Sequence, residues 1–142
     1  MKDSLSIVAM AINLLYNRRF KCETKPIMSV LIINEKATPS QMIEMMLLLG
    51  SYIKLAVDVE REILAGGGTL HADCEGALID DGSQQENVWG ADWFPSPQQV
   101  TFESMINIRP RLGLFTTELE DPDLRKVIEK IVRKLLEGVA YE

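Results

Sequence analysis

Apolar and polar positions along the chain follow patterns that predict four strands. Residues 29–34 form a short, continuous apolar run, which is typical of a strand buried on both faces. Residues 53–60 alternate between apolar positions and charged or small ones, which is the period of a second strand. Residues 88–93 and 100–108 predict two further strands on either side of a Pro-Ser-Pro loop.

Helix signals begin at Thr38, between the first two strands. Thr38 is expected to cap this helix, Pro39 fits its first position, and Gln41 completes a capping box. Gly50 is a suitable C-terminal stop. The helix body is apolar on nearly all sides, so we expect it to be packed between layers. Four of its residues share one face: Met42, Ile43, Met46 and Leu47.

Two more helices are predicted in the second half of the chain. Residues 72–81 place apolar side chains at helical spacing before a glycine. Asp121 is expected to cap the last helix, with Pro122 at its first position. The predicted core stripe of this helix consists of Leu124, Val127, Ile128, Ile131, Leu135 and Leu136.

Together the elements predict the α+β class, with a small mixed β-sheet and three helices in the order β-α-β-α-β-β-α. A strand, a helix and a strand follow one another closely, which favours a right-handed crossover between two parallel strands. We expect one compact domain over residues 28–142 and an N-terminal helical extension over residues 1–27.

The net charge changes sign near residue 28. Residues 1–27 carry five basic and two acidic residues, whereas residues 28–142 carry ten basic and nineteen acidic ones, within a total of −6. In one interpretation residues 1–27 are a genuine extension, with a helix over residues 5–16 suited to a membrane surface or a partner. In the other, Met28 is the functional start and the leader is dispensable.

Composition narrows the class of protein. A hydrophobic fraction of 46% in 142 residues indicates one folded domain rather than a disordered chain. No apolar run is long enough to span a bilayer, and the acidic balance argues against general nucleic-acid binding. Two cysteines without the spacing of paired ligands fit the reducing cytoplasm, which is the expected location.

The densest candidate chemistry lies between residues 58 and 92, where nine carboxylates accompany one basic residue and the single histidine. His71, Asp73 and Glu75 would share a face on a strand, and imidazole with carboxylates can bind a divalent metal. Asp58 and Glu60 could add carboxylates from a neighbouring strand face. No complete metal motif is present, so the cofactor stays unknown. The alternatives are a helix-start histidine with a capping Asp73, and a solvated strand face.

Two further groups carry candidate chemistry. Asn107, Arg109 and Arg111 end the final predicted strand, and guanidinium groups bind carboxylate or phosphate bidentately. Both an anion site and internal ion pairs with the acidic middle segment are consistent with this pattern. Trp89 and Trp93 share one face of their strand, as core residues or as a ligand platform.

Three stretches taken together resemble a small bacterial family of unknown function. They are residues 58–75 (DVEREILAGGGTLHADCE), 81–90 (DGSQQENVWG) and 106–110 (INIRP). The resemblance covers about residues 28–137 and implies a compact single domain, but it implies no activity. It marks six residues as a candidate functional site: His71, Asp73, Glu75, Trp89, Asn107 and Arg109.

Three hypotheses for function follow. The first is a binding or interaction domain that associates with itself, since a short sheet leaves edges that need cover; its protein partner is unknown. The second is a metal-dependent hydrolase or nuclease, with the metal held by His71, Asp73 and Glu75 and an anionic substrate held by Arg109. The third is a toxin–antitoxin or other small regulatory protein that binds a basic polypeptide through the acidic segment.

Overall fold

A five-stranded sheet forms the centre of the structure, a computed structural model that describes residues 30–142. The extension over residues 1–27, with its expected helix over residues 5–16, lies outside the described residues. The elements are β1 (Leu31–Ile33), α1 (Pro39–Met45), β2 (Ile53–Asp58), β3 (Ile63–Gly66), α2 (His71–Asp80), β4 (Val88–Phe94), β5 (Gln99–Thr101) and α3 (Pro122–Leu136).

The sheet has the order β1-β3-β2-β4-β5, and every neighbouring pair is antiparallel. The α+β class and the predicted order of elements are confirmed, with one strand, β3, added. The expected pairing of two parallel strands does not form, because β3 lies between β1 and β2 and pairs with both. The described sheet is therefore antiparallel rather than mixed.

The added strand follows from a tight turn after β2. Asp58 is buried, and its Oδ1 accepts hydrogen bonds from the backbone N–H groups of Glu60 and Arg61, at 2.9 and 3.0 Å. Glu62 has a φ of 56°, which brings the chain back alongside β2. The alternation predicted that Asp58 and Glu60 share the face of one continuous strand. Instead, Asp58 is the last residue of β2 and Glu60 lies in the turn that follows it.

The two faces of the sheet carry different helices. Ile53, Leu55 and Val57 belong to the larger core cluster, to which α1 and α3 also contribute. The intervening Ala56 belongs to a second cluster, together with residues of α2 such as Leu78. Because side chains alternate along a strand, Lys54 and Asp58 project on the α2 side as well. The sheet is thus covered on both faces.

Helix α1 begins as predicted but is packed differently. Thr38 and Gln41 form the expected capping box, with hydrogen bonds of 3.2 and 2.9 Å. Of the helix body, only Met42 and Met45 are buried, whereas Ile43 is 43% exposed. The expectation that α1 lies between two layers is therefore wrong: it covers the sheet with one side and presents apolar side chains on the other.

Helix α3 is confirmed in detail. Asp121 caps it by accepting from the N–H groups of Asp123 and Leu124. Its buried residues are Ile128, Ile131, Val132, Leu135 and Leu136. Val127 was expected in the core stripe but is 44% exposed.

The alternation predicted that the last strand continues to residue 108, but strand β5 ends at Thr101. Beyond it the chain forms two short 3-10 helices, Met105–Asn107 and Pro110–Leu112, and then doubles back so that Ser104 N–H bonds Thr117 O at 3.0 Å. Because β5 ends early, backbone N–H and C=O groups of β4 beyond it need hydrogen-bond partners other than a strand. Within residues 30–142, no helix is both long and apolar enough to cross a membrane.

Candidate functional site

Asn107 pairs with the backbone of β4 at the point that β5 no longer reaches. Gly90 N–H donates to Asn107 Oδ1 at 2.8 Å, and Asn107 Nδ2 donates to Gly90 O at 3.0 Å. The same amide nitrogen lies 3.2 Å from Phe102 O. Asn107 is 1% exposed, so these bonds satisfy backbone groups that water cannot reach. The side chain takes the place of a neighbouring strand.

Arg109 extends this arrangement along the same edge of β4. Its Nη2 donates to Val88 O, its Nε to Ile106 O at 2.9 Å, and its Nη1 to Gln85 O at 3.1 Å. Gly90 and Val88 are two residues apart, so their carbonyl groups point to the same edge of the strand. Asn107 and Arg109 together therefore close the part of the β4 edge that lies beyond β5.

The guanidinium of Arg109 is also stacked on the indole ring of Trp89, with its central carbon 4.4 Å from the ring centroid. Burial lowers the pKa of Arg109, and the nearby carboxylate of Glu75 acts in the opposite direction. The positive charge of Arg109 is therefore stabilised by the Trp89 ring, the Glu75 carboxylate and three carbonyl groups. The sequence predicted that Arg109 binds either an anion or acidic side chains of the middle segment. Neither interpretation is complete, because most of the partners of Arg109 are backbone carbonyls.

His71 is the first residue of α2, and its ring contacts β4. Its Nε2 lies 2.8 Å from Asp92 Oδ1 and 3.2 Å from Ala91 O. The second oxygen of Asp92, Oδ2, accepts from the hydroxyl of Thr101 at 3.3 Å. The His71 and Asp92 side chains are only 11% and 12% exposed. A histidine from a helix start and an aspartate from the sheet thus form a largely buried pair.

This pair lies at a cleft of about 290 Å³, which we call the His71 cleft. Lys54 stands directly opposite Asp92 in the register of β2 and β4, so the two side chains project on the same face. The other wall comes from the segment that follows β5. The lining residues are Lys54, His71, Asp92, Glu103, Ser104, Met105 and Thr117.

Asp73 and Glu75, which were predicted to bind a metal together with His71, do not line this cleft. Asp73 Oδ2 accepts from the N–H of Leu70 at 3.2 Å, so the predicted alternative of a capping aspartate is confirmed. The carboxylate of Glu75 is near enough to Arg109 to raise its pKa, and within residues 30–142 the buried Oε2 of Glu75 has no hydrogen-bond partner. Across residues 30–142, no three His, Cys, Asp or Glu side chains are grouped closely enough to hold a metal ion. A metal at His71, Asp73 and Glu75 stays a prediction.

Four carboxylates of the acidic segment 58–92 are held by partners within the domain. Asp81 pairs with Arg61 at 2.7 Å, and Arg61 also donates to Ser83 Oγ at 2.7 Å. Asp58 closes a turn, Asp73 caps a helix and Asp92 holds His71. These four carboxylates therefore each have a partner within the domain.

Cys74 lies one turn after His71 on the buried side of α2. Its Sγ is 3.4 Å from Lys54 O, and burial raises the pKa of the thiol to about 11. It is therefore a neutral, buried thiol near physiological pH, which makes it unreactive.

Sequence patterns did not indicate a second pocket, formed by the loop before α3. Leu112 and Phe115 are 63% and 72% exposed, and Leu114 between them is 37% exposed. We call these three residues the apolar loop surface. The pocket beside it has a volume of about 260 Å³ and is lined by Trp89, Asn107, Leu112, Leu114, Thr116, Glu118, Leu119, Glu120, Asp121 and Leu124. The only signal was an apolar cluster, 112–115, outside any predicted element.

The two tryptophans lie in the core. Trp93 is fully buried and Trp89 is 7% exposed, and both belong to the larger core cluster. The expectation that they pack in the core is confirmed, and Trp89 in addition reaches the wall of the loop pocket.

Fold and site together define a small α+β protein with an antiparallel sheet covered on both faces. Its segment after β5 contributes residues both to the His71 cleft and to the pocket beside the apolar loop surface. The sequence profile of a family described as a protein of unknown function, DUF5674, matches residues 31–135. The chain therefore belongs to this family, and the resemblance found in the sequence is confirmed. Its bacterial origin stays a prediction. Searches of curated proteins and of solved structures found no match.

Proposed function

We propose that this domain binds a segment of a partner protein in which a large apolar side chain is flanked by basic residues. The observation that carries the proposal is the loop pocket beside the apolar loop surface. Its volume of about 260 Å³ suits one anchoring side chain rather than a large cofactor, since drug-sized ligands occupy pockets of about 300–1,000 Å³.

The exposed apolar side chains support a binding role. Leu112, Leu114 and Phe115 are adjacent on a loop that is held by backbone hydrogen bonds between Arg109 and Leu114, at 2.8 and 3.0 Å. Large apolar side chains clustered at one place on a surface are typical of interaction sites, whereas scattered ones are not. An ordered loop also loses less conformational entropy on binding than a mobile one.

Charge determines which partner is favoured. Three carboxylates line the loop pocket, those of Glu118, Glu120 and Asp121, and no lysine or arginine is among its lining residues. Glu118 is paired with Arg125 at 2.6 Å, and Asp121 caps α3. The exposed Glu120 has no ion pair with any other residue of the described range 30–142, so its carboxylate can meet a cation of the partner. Electrostatic complementarity therefore favours lysine or arginine beside the anchor.

This proposal combines the interaction-domain hypothesis with the basic-polypeptide hypothesis, but it moves the acidic surface from the 58–92 segment to residues 118–121. Self-association through the same surface is the competing hypothesis. The cytoplasmic location stays a prediction. The hydrolase hypothesis depends on His71, which lines the His71 cleft and not the loop pocket.

Selection of peptides tests the proposal directly. A displayed library of random twelve-residue peptides is selected on the wild-type protein and counter-selected on a Leu112→Ser, Phe115→Ser variant. We expect enriched peptides to combine Leu, Phe or another large apolar residue with Lys or Arg. Their affinity is expected to fall about tenfold or more in the double variant and in Glu120→Lys.

Two controls match the exposure and the charge of these changes. Leu47, which is 68% exposed on the segment after α1, is changed to Ser, and the exposed Glu35 is changed to Lys. Neither change should affect peptide affinity. Enriched peptides that are acidic, or that bind the double variant equally well, would refute the proposal. A dimer in light scattering that depends on Phe115, without peptide enrichment, would assign the surface to a second copy instead.

A further inference from the structure

The hydrogen-bond partners of His71 determine which ring nitrogen carries the proton. Asp92 Oδ1 and Ala91 O, the two groups that face Nε2, are both acceptors. Nε2 must therefore be the N–H donor, and in the neutral ring Nδ1 carries a lone pair. Among residues 30–142, no hydrogen bond reaches Nδ1, so this nitrogen is available as an acceptor on a ring that lines the His71 cleft.

Lys54 supplies a positive charge at the same cleft. It projects on the face of Asp92, yet both oxygens of Asp92 are already bonded, one to His71 and the other to Thr101. Within the described part of the chain, the ammonium of Lys54 has no ion pair. Glu103, on the opposite wall, is likewise exposed and without an ion pair in that part of the chain.

The cleft thus offers an unpaired cation, an unpaired carboxylate and a lone pair within about 290 Å³. We propose that it binds a small zwitterion of the α-amino acid class. The ligand carboxylate pairs with Lys54, and its ammonium donates to Nδ1 of His71 and to Glu103. A dianion such as phosphate is disfavoured, because Asp92 and Glu103 both line the cleft. This site is independent of the partner surface proposed above.

The single histidine of the chain makes the test unambiguous, because one imidazole gives one set of ring signals. Long-range ¹H–¹⁵N spectra of labelled, tag-free protein above neutral pH should show a protonated Nε2 and a non-protonated Nδ1. Glycine, alanine, serine and asparagine are then added as probes. We expect a saturable shift of Nδ1 with dissociation constants of about 1 mM, typical of a small polar ligand.

Truncated probes separate the two ends of the ligand. Acetate and propionate lack the ammonium, and methylamine lacks the carboxylate, so each should bind about tenfold more weakly than the amino acids. Lys54→Met should also weaken amino-acid binding about tenfold, whereas Lys126→Met, an exposed lysine on α3, should not. Asp92→Asn should change the ratio of the two ring tautomers while the protein stays folded by circular dichroism.

Three outcomes would overturn the proposal. The first is a protonated Nδ1 in the free protein. The second is the absence of a saturable shift with any amino acid up to about 50 mM. The third is evidence that the cleft binds charge non-specifically. Such evidence would be equal affinity for acetate, methylamine and glycine, or an equal effect of the Lys54 and Lys126 substitutions.

Discussion

Asn107 meets Gly90 through the pair of hydrogen bonds that a residue of an adjacent antiparallel strand would make. One side chain thereby continues the sheet where β5 has ended, and it does so from a 3-10 helix rather than from a strand. Two residues on, Arg109 donates a hydrogen bond to Val88 O on the same edge of β4. Asn107 and Arg109 therefore have a structural role, which is to bind the backbone groups at the edge of β4.

Asn107→Ala should lower the free energy of unfolding by about 2–4 kcal/mol, because Gly90 N–H and Gly90 O would remain buried without their partner. Asn107→Asp should be at least as harmful, since it replaces the donor with a buried charge. Urea denaturation measures both changes. Asn34→Ala, at an exposed position, is the control and should change the value by less than about 0.5 kcal/mol. A similar effect of the Asn34 and Asn107 changes would contradict the assignment.

Gly90→Ala should destabilise the protein by about 1–3 kcal/mol, because the added Cβ would overlap the Ser104 side chain. Ser104→Gly removes the atoms in conflict, although it also removes the bond that Ser104 Oγ accepts from Ile106 N–H. In a double-mutant cycle we expect a favourable coupling of about 1 kcal/mol between the two changes. Strict additivity would show that the overlap is relieved in some other way.

Arg109→Lys should cost about 1–3 kcal/mol of stability although the charge is kept, since an ammonium cannot reach three carbonyl groups and stack on Trp89 at once. Arg111 lies two residues away and is exposed, so Arg111→Lys is a matched control with an expected effect below about 0.5 kcal/mol. Thermal and urea unfolding compare the two proteins. Equal stabilities would mean that Arg109 contributes only its charge.

Titration of the Cys74 thiol makes the free energy of unfolding depend on pH in the alkaline range. Burial raises the pKa of its thiol from 9.0 to about 11, so the unfolded chain loses this proton at a lower pH than the folded one. The stabilising contribution is complete below pH 9.0 and is lost as the pH rises towards 11. Between about pH 8.5 and about pH 10.5, the wild type should lose about 2 kcal/mol more than Cys74→Ala. Identical pH slopes for the two proteins would refute this prediction.

Elements whose signals are local could be predicted from the sequence. The capping box at Thr38 and Gln41 and the cap at Asp121 lie within a few residues of the groups that they satisfy, so their geometry is implied by spacing alone. His71 at a helix start and Asp73 as a cap are of the same kind. The apolar face of α3 follows from its period for the same reason.

Features that depend on distant partners could not be predicted. Strand β3 ends in Gly66, which looks like a break, yet a Cβ there would lie 3.0 Å from Met45 Sδ and 2.8 Å from Leu55 Cδ2. The glycine thus permits close packing of α1 on the sheet. His71 and Asp92 are 21 residues apart, and Asn107 and Gly90 are 17 apart. Their pairing depends on the register of β4, which a single sequence does not specify.

The two outer strands of the described sheet, β1 and β5, are each three residues long. An edge this short offers an approaching chain only a few backbone groups, and the next part of β4 is already occupied by Asn107 and Arg109. Growth of the sheet from one molecule into the next would therefore gain few hydrogen bonds. At high concentration we expect the folded domain to resist fibrillar aggregation, and any assembly that it forms to use its helices and loops.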